Sequence, residues 1–140
     1  MKPRYMLDTD TIIFLQRGRN LAAQKRFLAL AMDKDGVSEA VMSVITYGEI
    51  LTGMDDTRQS QAAMATLRGV LSAVPVLPLT QAVGEMWAEI RTPLKKEGRM
   101  IGNNDLWIAA HALATDLTVV TNNEKEFRRI PGLKFENWTK

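Results

Sequence analysis

Residues 4–15 read RYMLDTDTIIFL, and the fold turns on how this stretch is read. The apolar run Tyr5-Met6-Leu7 ends in Asp8, a second acid follows at Asp10, and apolar residues resume at once. Residues 4–8 fit a buried strand, and residues 10–17 fit a short helix. A second helix over 20–33 is set off from the first by Gly18 and Asn20. Two carboxylates thus stand where a strand ends and a helix begins.

The same alternation continues along the chain. Residues 40–44 (AVMSV) fit a second strand, running into a helix over 45–54. Residues 57–72 are amphipathic, with Ala62, Leu67, Val70 and Leu71 expected to face inward. VPVLPL, 74–79, is a short strand whose prolines favour a sheet edge. A helix over 81–97 contains Pro93, which removes a backbone donor and predicts a kink or break. Residues 104–115 (NDLWIAAHALAT) form a strong helix, with Leu106, Ile108, Ala109, Ala112 and Leu113 available for packing. LTVVT, 117–121, is a β-branched run suited to a buried parallel strand. A short helix around 124–129 and a strand near 133–136 close the chain. Strands alternating with helices predict a single α/β domain over residues 1–140, its mainly parallel sheet covered on both faces.

Composition narrows the chemistry. The chain has 140 residues, 46% hydrophobic and 24% charged, ordinary for a soluble domain with a real core. It has no cysteine, which excludes disulfides, thiolate zinc sites and cysteine nucleophiles and fits a reducing cytoplasm. No apolar run approaches the roughly 20 residues that span a bilayer, and Asp8 interrupts the N-terminal apolar stretch too early for a secretory signal. A cytoplasmic protein with no membrane association is expected. His111 is the only histidine, and neither a P-loop nor a GxGxxG pattern occurs. A metal-free ribonuclease using paired histidines is thereby excluded. His111 lies six residues after Asp105, roughly 120° around a helix, and is read as structural. Ser43 has no evident triad. Net charge is only +2, but Arg91, Lys95, Lys96 and Arg99 cluster on one segment and Lys125, Arg128 and Arg129 on another. Taken alone, such clusters are solvated helix faces; beside a group of carboxylates they would form a local positive rim.

In open α/β sheets, sites form outside the carboxyl ends of the strands. Asp8 falls at the end of the first strand, Glu49 about a turn into the helix after the second, Asp105 in the first turn of its helix, and Asn123 just after LTVVT. Each has a bland explanation. Asp8 or Asp10 can cap the following helix, the preferred role for Asp10. Asp105 can complement a helix dipole, with Asn103 or Asn104 as cap. Asn-Asn after a strand is usually turn chemistry. Glu49 is harder to dismiss, being the only charged residue in VMSVITYGEILTGM, 41–54. A lone acid in a mostly apolar helix is costly unless paired or metal-bound. Two carboxylates about 5 Å apart repel by roughly 3 kcal/mol at an effective dielectric near 20. A hard, oxygen-seeking cation such as Mg²⁺ or Mn²⁺ removes that penalty.

LDTD near the start, ITYGEILTG in the middle, EGRMIGNNDLWIAAHAL, VVTNNEKEFRRIPGL and a terminal ENW together resemble the PIN-domain toxins of the VapC type, over nearly the whole chain and in the same order. The resemblance implies a three-layer PIN-like fold and a Mg²⁺- or Mn²⁺-dependent endoribonuclease, the toxin of a type II toxin–antitoxin pair. It also implies cleavage of structured RNA, often transfer RNA, inhibition by a small antitoxin of the VapB type, and a homodimer. By that likeness Asp8, Glu49 and Asp105 are the metal-binding, catalytic acids. The position often filled by a fourth acid is Asn123 here, so that ligand is neutral or replaced by nearby Glu126. Thr9 is placed to hydrogen-bond near the metal, and Asp10, at a position often filled by Asn, fits a capping or supporting role. Met100 stands where many relatives have Pro, a change confined to its loop. Arg91, Lys95, Arg99, Lys125 and Arg128 are candidate contacts to flanking RNA phosphates, and Trp107 is a core or dimer contact.

Two rivals remain at this stage. YMLDTDT also fits the D-x-D-x-T signature of haloacid-dehalogenase-type phosphatases, in which Asp8 would be the nucleophile and Asp10 the general acid. That chemistry needs a later Asp pair, whereas LTVVT ends in Asn122 and Asn123, and it leaves Glu49 unexplained. A non-enzymatic module whose acids bind basic partner residues is the other.

Overall fold

The structure, a computed structural model, describes residues 2–18, 20–30, 38–54 and 60–140. Its elements alternate along the chain. The first half holds β1 (Tyr5–Leu7), α1 (Thr9–Arg17), α2 (Leu21–Leu28), β2 (Ala40–Ser43), α3 (Val44–Met54) and α4 (Gln61–Ala73). The second holds β3 (Val76–Leu77), α5 (Gln81–Lys96), α6 (Asn103–Thr115), β4 (Thr118–Val120), α7 (Glu124–Phe127) and β5 (Phe135–Glu136). The strands form one sheet in the order β3-β2-β1-β4-β5. Every pairing in it is parallel. Each crossover therefore carries the chain over a face of the sheet, and helices cover both.

Strand pleating divides the core in two. Met6, Val41 and Val119 are in register across β2-β1-β4. They pack with Val83, Ile90 and Leu94 of α5, Leu106 and Ile108 of α6 and Phe127 of α7. Tyr5, Leu7, Ala40, Met42 and Val120 face the other way, against Ile12 and Leu15 of α1, Ala23 of α2, Ile50 of α3, and Leu67 and Val70 of α4. The result is a three-layer α/β arrangement. Trp138, near the C-terminus, joins the second layer edge-on to Tyr5, ring centroids 5.3 Å apart.

Element types follow the sequence closely, with four corrections. Helix α5 runs to Lys96, three residues past Pro93, so of the expected kink or break the break does not occur. Pro93 is solvent-exposed, so water can satisfy the carbonyl its missing N–H leaves free. Ala62 is exposed rather than inward, while Leu67 and Val70 are buried as expected. Helix α2 ends at Leu28; residues 31–33 of its expected span, like 57–59 of the next helix, lie outside the described residues. The cap of α6 is Gly102, not Asn103 or Asn104. The proline-flanked strand β3 is at the sheet edge, as its composition predicts.

Candidate active site

The carboxyl end of β1 delivers Asp8 to the heart of the site. Its backbone N–H donates to the carbonyl of Val120 on β4 (2.8 Å), extending the ladder by one residue. Its side chain caps α1, Oδ1 accepting from the Thr9 amide at 2.8 Å. Oδ2 accepts from the Thr121 hydroxyl, also at 2.8 Å. Asp8, not Asp10, is thus the helix cap. Asp10 turns to the neighbouring loop, where both its oxygens accept from the Asn122 amide, at 3.2 and 3.1 Å.

Glu49 comes from α3, which starts directly after β2. It is half-buried, with Oε1 accepting from the Thr9 hydroxyl at 2.6 Å and Oε2 from Asn104 Nδ2 at 3.4 Å. Asp105 stands in the first turn of α6 and Glu126 on α7. Asn123 bridges them, its Nδ2 lying 3.2 Å from Asp105 Oδ2 and 2.9 Å from Glu126 Oε2. Both carboxylates lie beside Gly102, where a Cβ would be in ordinary contact with Asp105 Oδ2 at 3.7 Å and Glu126 Oε2 at 3.9 Å. The amide expected at the fourth position thus serves as a clasp, with the Glu126 carboxylate beside it.

The acids feel one another. Burial, and then the charge on Asp10 and a smaller contribution from Glu49, push the Asp8 carboxyl up to about 7. Asp105 is pushed up to about 8, by burial first, then by its hydrogen bond to Glu126 and the charges on Asp8, Glu126 and Glu49. Glu126 moves the opposite way because it accepts that hydrogen bond. Among the described residues no ion pair involves Asp8, Glu49 or Asp105. Three acids distant in sequence therefore form one electrostatic cluster that no Lys or Arg among the described residues neutralises. They do not form a closed cage: among the described residues no three His, Asp or Glu side chains are drawn together around a point as a metal would draw them.

The basic residues lie on α5, on the loop after it and on or just after α7. Lys125 and Arg128 lie on or just after α7, next to Glu126; Lys125 is exposed, and Arg128 leans on Glu124 (4.0 Å) and the Phe135 ring. Arg99 is exposed on the loop leading to Gly102, 3.9 Å from Glu97. Lys95 is exposed further back on α5, and Arg91 is laid over the Trp87 ring. Trp107 stacks on Trp87 (4.8 Å between centroids), joining α6 to α5. His111 is buried away from the acids, Nδ1 2.8 Å from Ser43 Oγ, and burial lowers its basicity. The ring also hydrogen-bonds the backbone of Pro78, and Ser43 sits on Nδ1, the nitrogen a triad carboxylate would occupy. The sequence does not single out Thr121, and it offers Asn104 only as a helix cap, not as a partner of Glu49. The only hint was a hydroxyl at the end of LTVVT, two residues before Asn123.

A parallel three-layer fold with a carboxylate cluster at the carboxyl ends of its central strands is the arrangement of the PIN domain, whose family model matches residues 5–133. The relatives are more specific. Ribonuclease VapC1 of Haemophilus influenzae (strain R2866) is 37% identical over 137 residues, covering 97% of this chain and 98% of its own. The tRNA(fMet)-specific endonuclease VapC of Salmonella typhimurium is 33% identical, covering 96% and 98%. Among solved structures, the DNA-bound VapBC of Salmonella typhimurium superposes with a TM-score of 0.83 at 32% identity, covering 97% and 98%. The chain belongs to the PIN-domain family and, within it, to the VapC ribonucleases. These matches lend no support to the haloacid-dehalogenase alternative, and the Asp10 carboxylate it needs as an acid is occupied by a backbone amide.

Proposed function

We propose that the chain is a Mg²⁺- or Mn²⁺-dependent endoribonuclease that hydrolyses phosphodiester bonds in structured RNA, with transfer RNA as substrate. It acts as the toxin of a type II pair, restrained by an antitoxin of the VapB type, and works in the cytoplasm as a homodimer. The observation that carries the metal dependence is the clustering of Asp8, Glu49 and Asp105 without a neutralising Lys or Arg among the described residues. The donors are all hard oxygens, and Mg²⁺ takes one or two carboxylates while keeping several waters, so no closed cage is required. The Salmonella relative's name, a tRNA(fMet)-specific endonuclease, supports the substrate class, and the VapBC assembly supports the partner.

Asp8, Glu49 and Asp105 would hold the cation, with Glu126 beside Asn123 at the fourth position. Bound there, the cation supplies charge neutralisation at the phosphate and acidifies water. The rest falls to the chain. Thr9 holds Glu49 in orientation, Thr121 fixes the rotamer of Asp8, and Asn123 keeps Asp105 and Glu126 together. Arg99, Lys125 and Arg128 position flanking phosphates without reading sequence.

The test is cleavage of purified transfer RNA by wild type and by Asp8→Ala with Mg²⁺, Mn²⁺ or EDTA. Cleavage only by wild type, and only with metal, is expected. Equal cleavage by a well-folded Asp8→Ala protein would reject the mechanism. No RNA cleavage under any metal condition would favour the binding-module alternative.

A further inference from the structure

The turn after β4, Thr121-Asn122-Asn123, supplies two of the groups that hold the acidic cluster: the Thr121 hydroxyl on Asp8 and the Asn123 amide between Asp105 and Glu126. Something must hold the turn itself. Within it, the Asn123 amide donates to Thr121 Oγ1 at 2.9 Å, so the two functional side chains move together. The middle residue, Asn122, is gripped on both sides. Its backbone N–H is chelated by the two oxygens of Asp10. Its side-chain Oδ1 is met by Asn137 Nδ2 at 3.0 Å and by the Thr139 hydroxyl at 2.9 Å. That C-terminal segment is itself anchored. Trp138 is buried against Tyr5, and Asn137 and Lys140 both reach Glu124 of α7, at 3.1 and 2.6 Å.

We propose that Asp10 is a positioning residue for RNA cleavage: with the Asn137–Thr139 strap, its carboxylate clamps Asn122 so that Thr121 and Asn123 hold Asp8, Asp105 and Glu126 in working geometry. The proposal rests on the nuclease function above. Asp10 contributes an acceptor at a defined place rather than a ligand to the reacting centre. A charged acceptor on a backbone N–H makes the stronger class of hydrogen bond, and a carboxamide oxygen at the same place keeps the bond in weaker form. A residue of α1 and the Asn137–Thr139 segment thereby meet on one residue, Asn122.

The experiment combines amide hydrogen exchange at Asn122, followed by NMR, with single-turnover RNA cleavage in Mg²⁺, for wild type, Asp10→Ala, Asp10→Asn and an Asn137→Ala/Thr139→Ala pair. Asp10→Ala is expected to speed Asn122 exchange by tenfold or more and to slow cleavage on the order of tenfold, with apparent RNA affinity within about twofold. Asp10→Asn, which retains an acceptor oxygen, should recover most of both. The strap pair should loosen Asn122 and slow cleavage without touching any acid, and it decides the matter alone if Asp10→Ala does not fold. Unchanged Asn122 exchange in Asp10→Ala overturns the proposal. So does an Asp10→Asn protein as inactive as Asp8→Asn with Asn122 still protected, which would place Asp10 at the reacting atoms. If wild type cleaves no RNA, the nuclease reading fails, while the exchange data still report whether Asp10 clamps the turn.

Discussion

Replacing Asp8 by Asn should make the metal-free protein more stable at neutral and alkaline pH. The Asp8 carboxyl is 4% exposed and titrates at about 7 in the fold, against an ordinary value of 3.8. Between those values the folded chain keeps a proton that the unfolded chain has released. Stability contributed by this group is therefore full below about pH 4 and is lost as pH rises through 7. The displacement corresponds to a few kcal/mol, since each pH unit in the window costs about 1.4 kcal/mol. Asn has nearly the same shape, is a good helix cap, and does not ionise. Urea unfolding in EDTA, repeated from pH 4 to pH 8.5, measures the effect. Relative to Asp8→Asn, wild type should lose a few kcal/mol across that range. Parallel pH profiles for the two proteins would refute the placement of a buried, repelled carboxylate at the end of β1. Saturating Mg²⁺ at pH 8 should raise the melting temperature of wild type and leave that of Asp8→Asn nearly unchanged, because a ligand stabilises only the state that binds it.

Further outcomes follow from other parts of the site. Thr9→Val removes the hydroxyl that donates to Glu49 and should slow cleavage roughly tenfold with little change in RNA affinity, in single-turnover assays. Phe127→Ala empties a fully buried position under α7 and should cost about 3–5 kcal/mol in urea unfolding, loosening Glu126 with it. Lys125→Ala should weaken RNA binding alike across sequences and reduce the magnitude of the salt slope by about 1. An unchanged slope would remove Lys125 from the phosphate path.

Sequence patterns conveyed most of the architecture because parallel strands buried on both faces leave a plain apolar signature. RYMLD and LTVVT read as strands; Asp8 and Asp105 fall at element ends and Glu49 a turn or so into its helix, where a parallel sheet brings them to one edge. What escaped depends on register. Asp10 and Asn122 are 112 residues apart and meet only because β1 pairs with β4 in one alignment, Leu7 opposite Val120. Thr121 holds Asp8 by the same pairing. The capping role assigned to Asp10 went to Asp8 because α1 begins at Thr9, a boundary that shifts by one residue without changing the apolar pattern. Pro93, which predicts a kink or break, does not end α5 because it lies near the helix end on an exposed position, where the lost hydrogen bond is cheap. Ala62, small and weakly apolar, had no side chain large enough to dictate its orientation.

In the proposed site Asp8, Glu49 and Asp105 jointly hold a divalent cation. The most direct measurement is an anomalous difference map from crystals soaked in Mn²⁺. A peak within coordinating distance of Asp8 and at least one of Glu49 and Asp105, absent from Asp8→Asn crystals, is the expected result. A map with Mn²⁺ bound only elsewhere, or with these carboxylates engaged by lysine or arginine instead, contradicts the account.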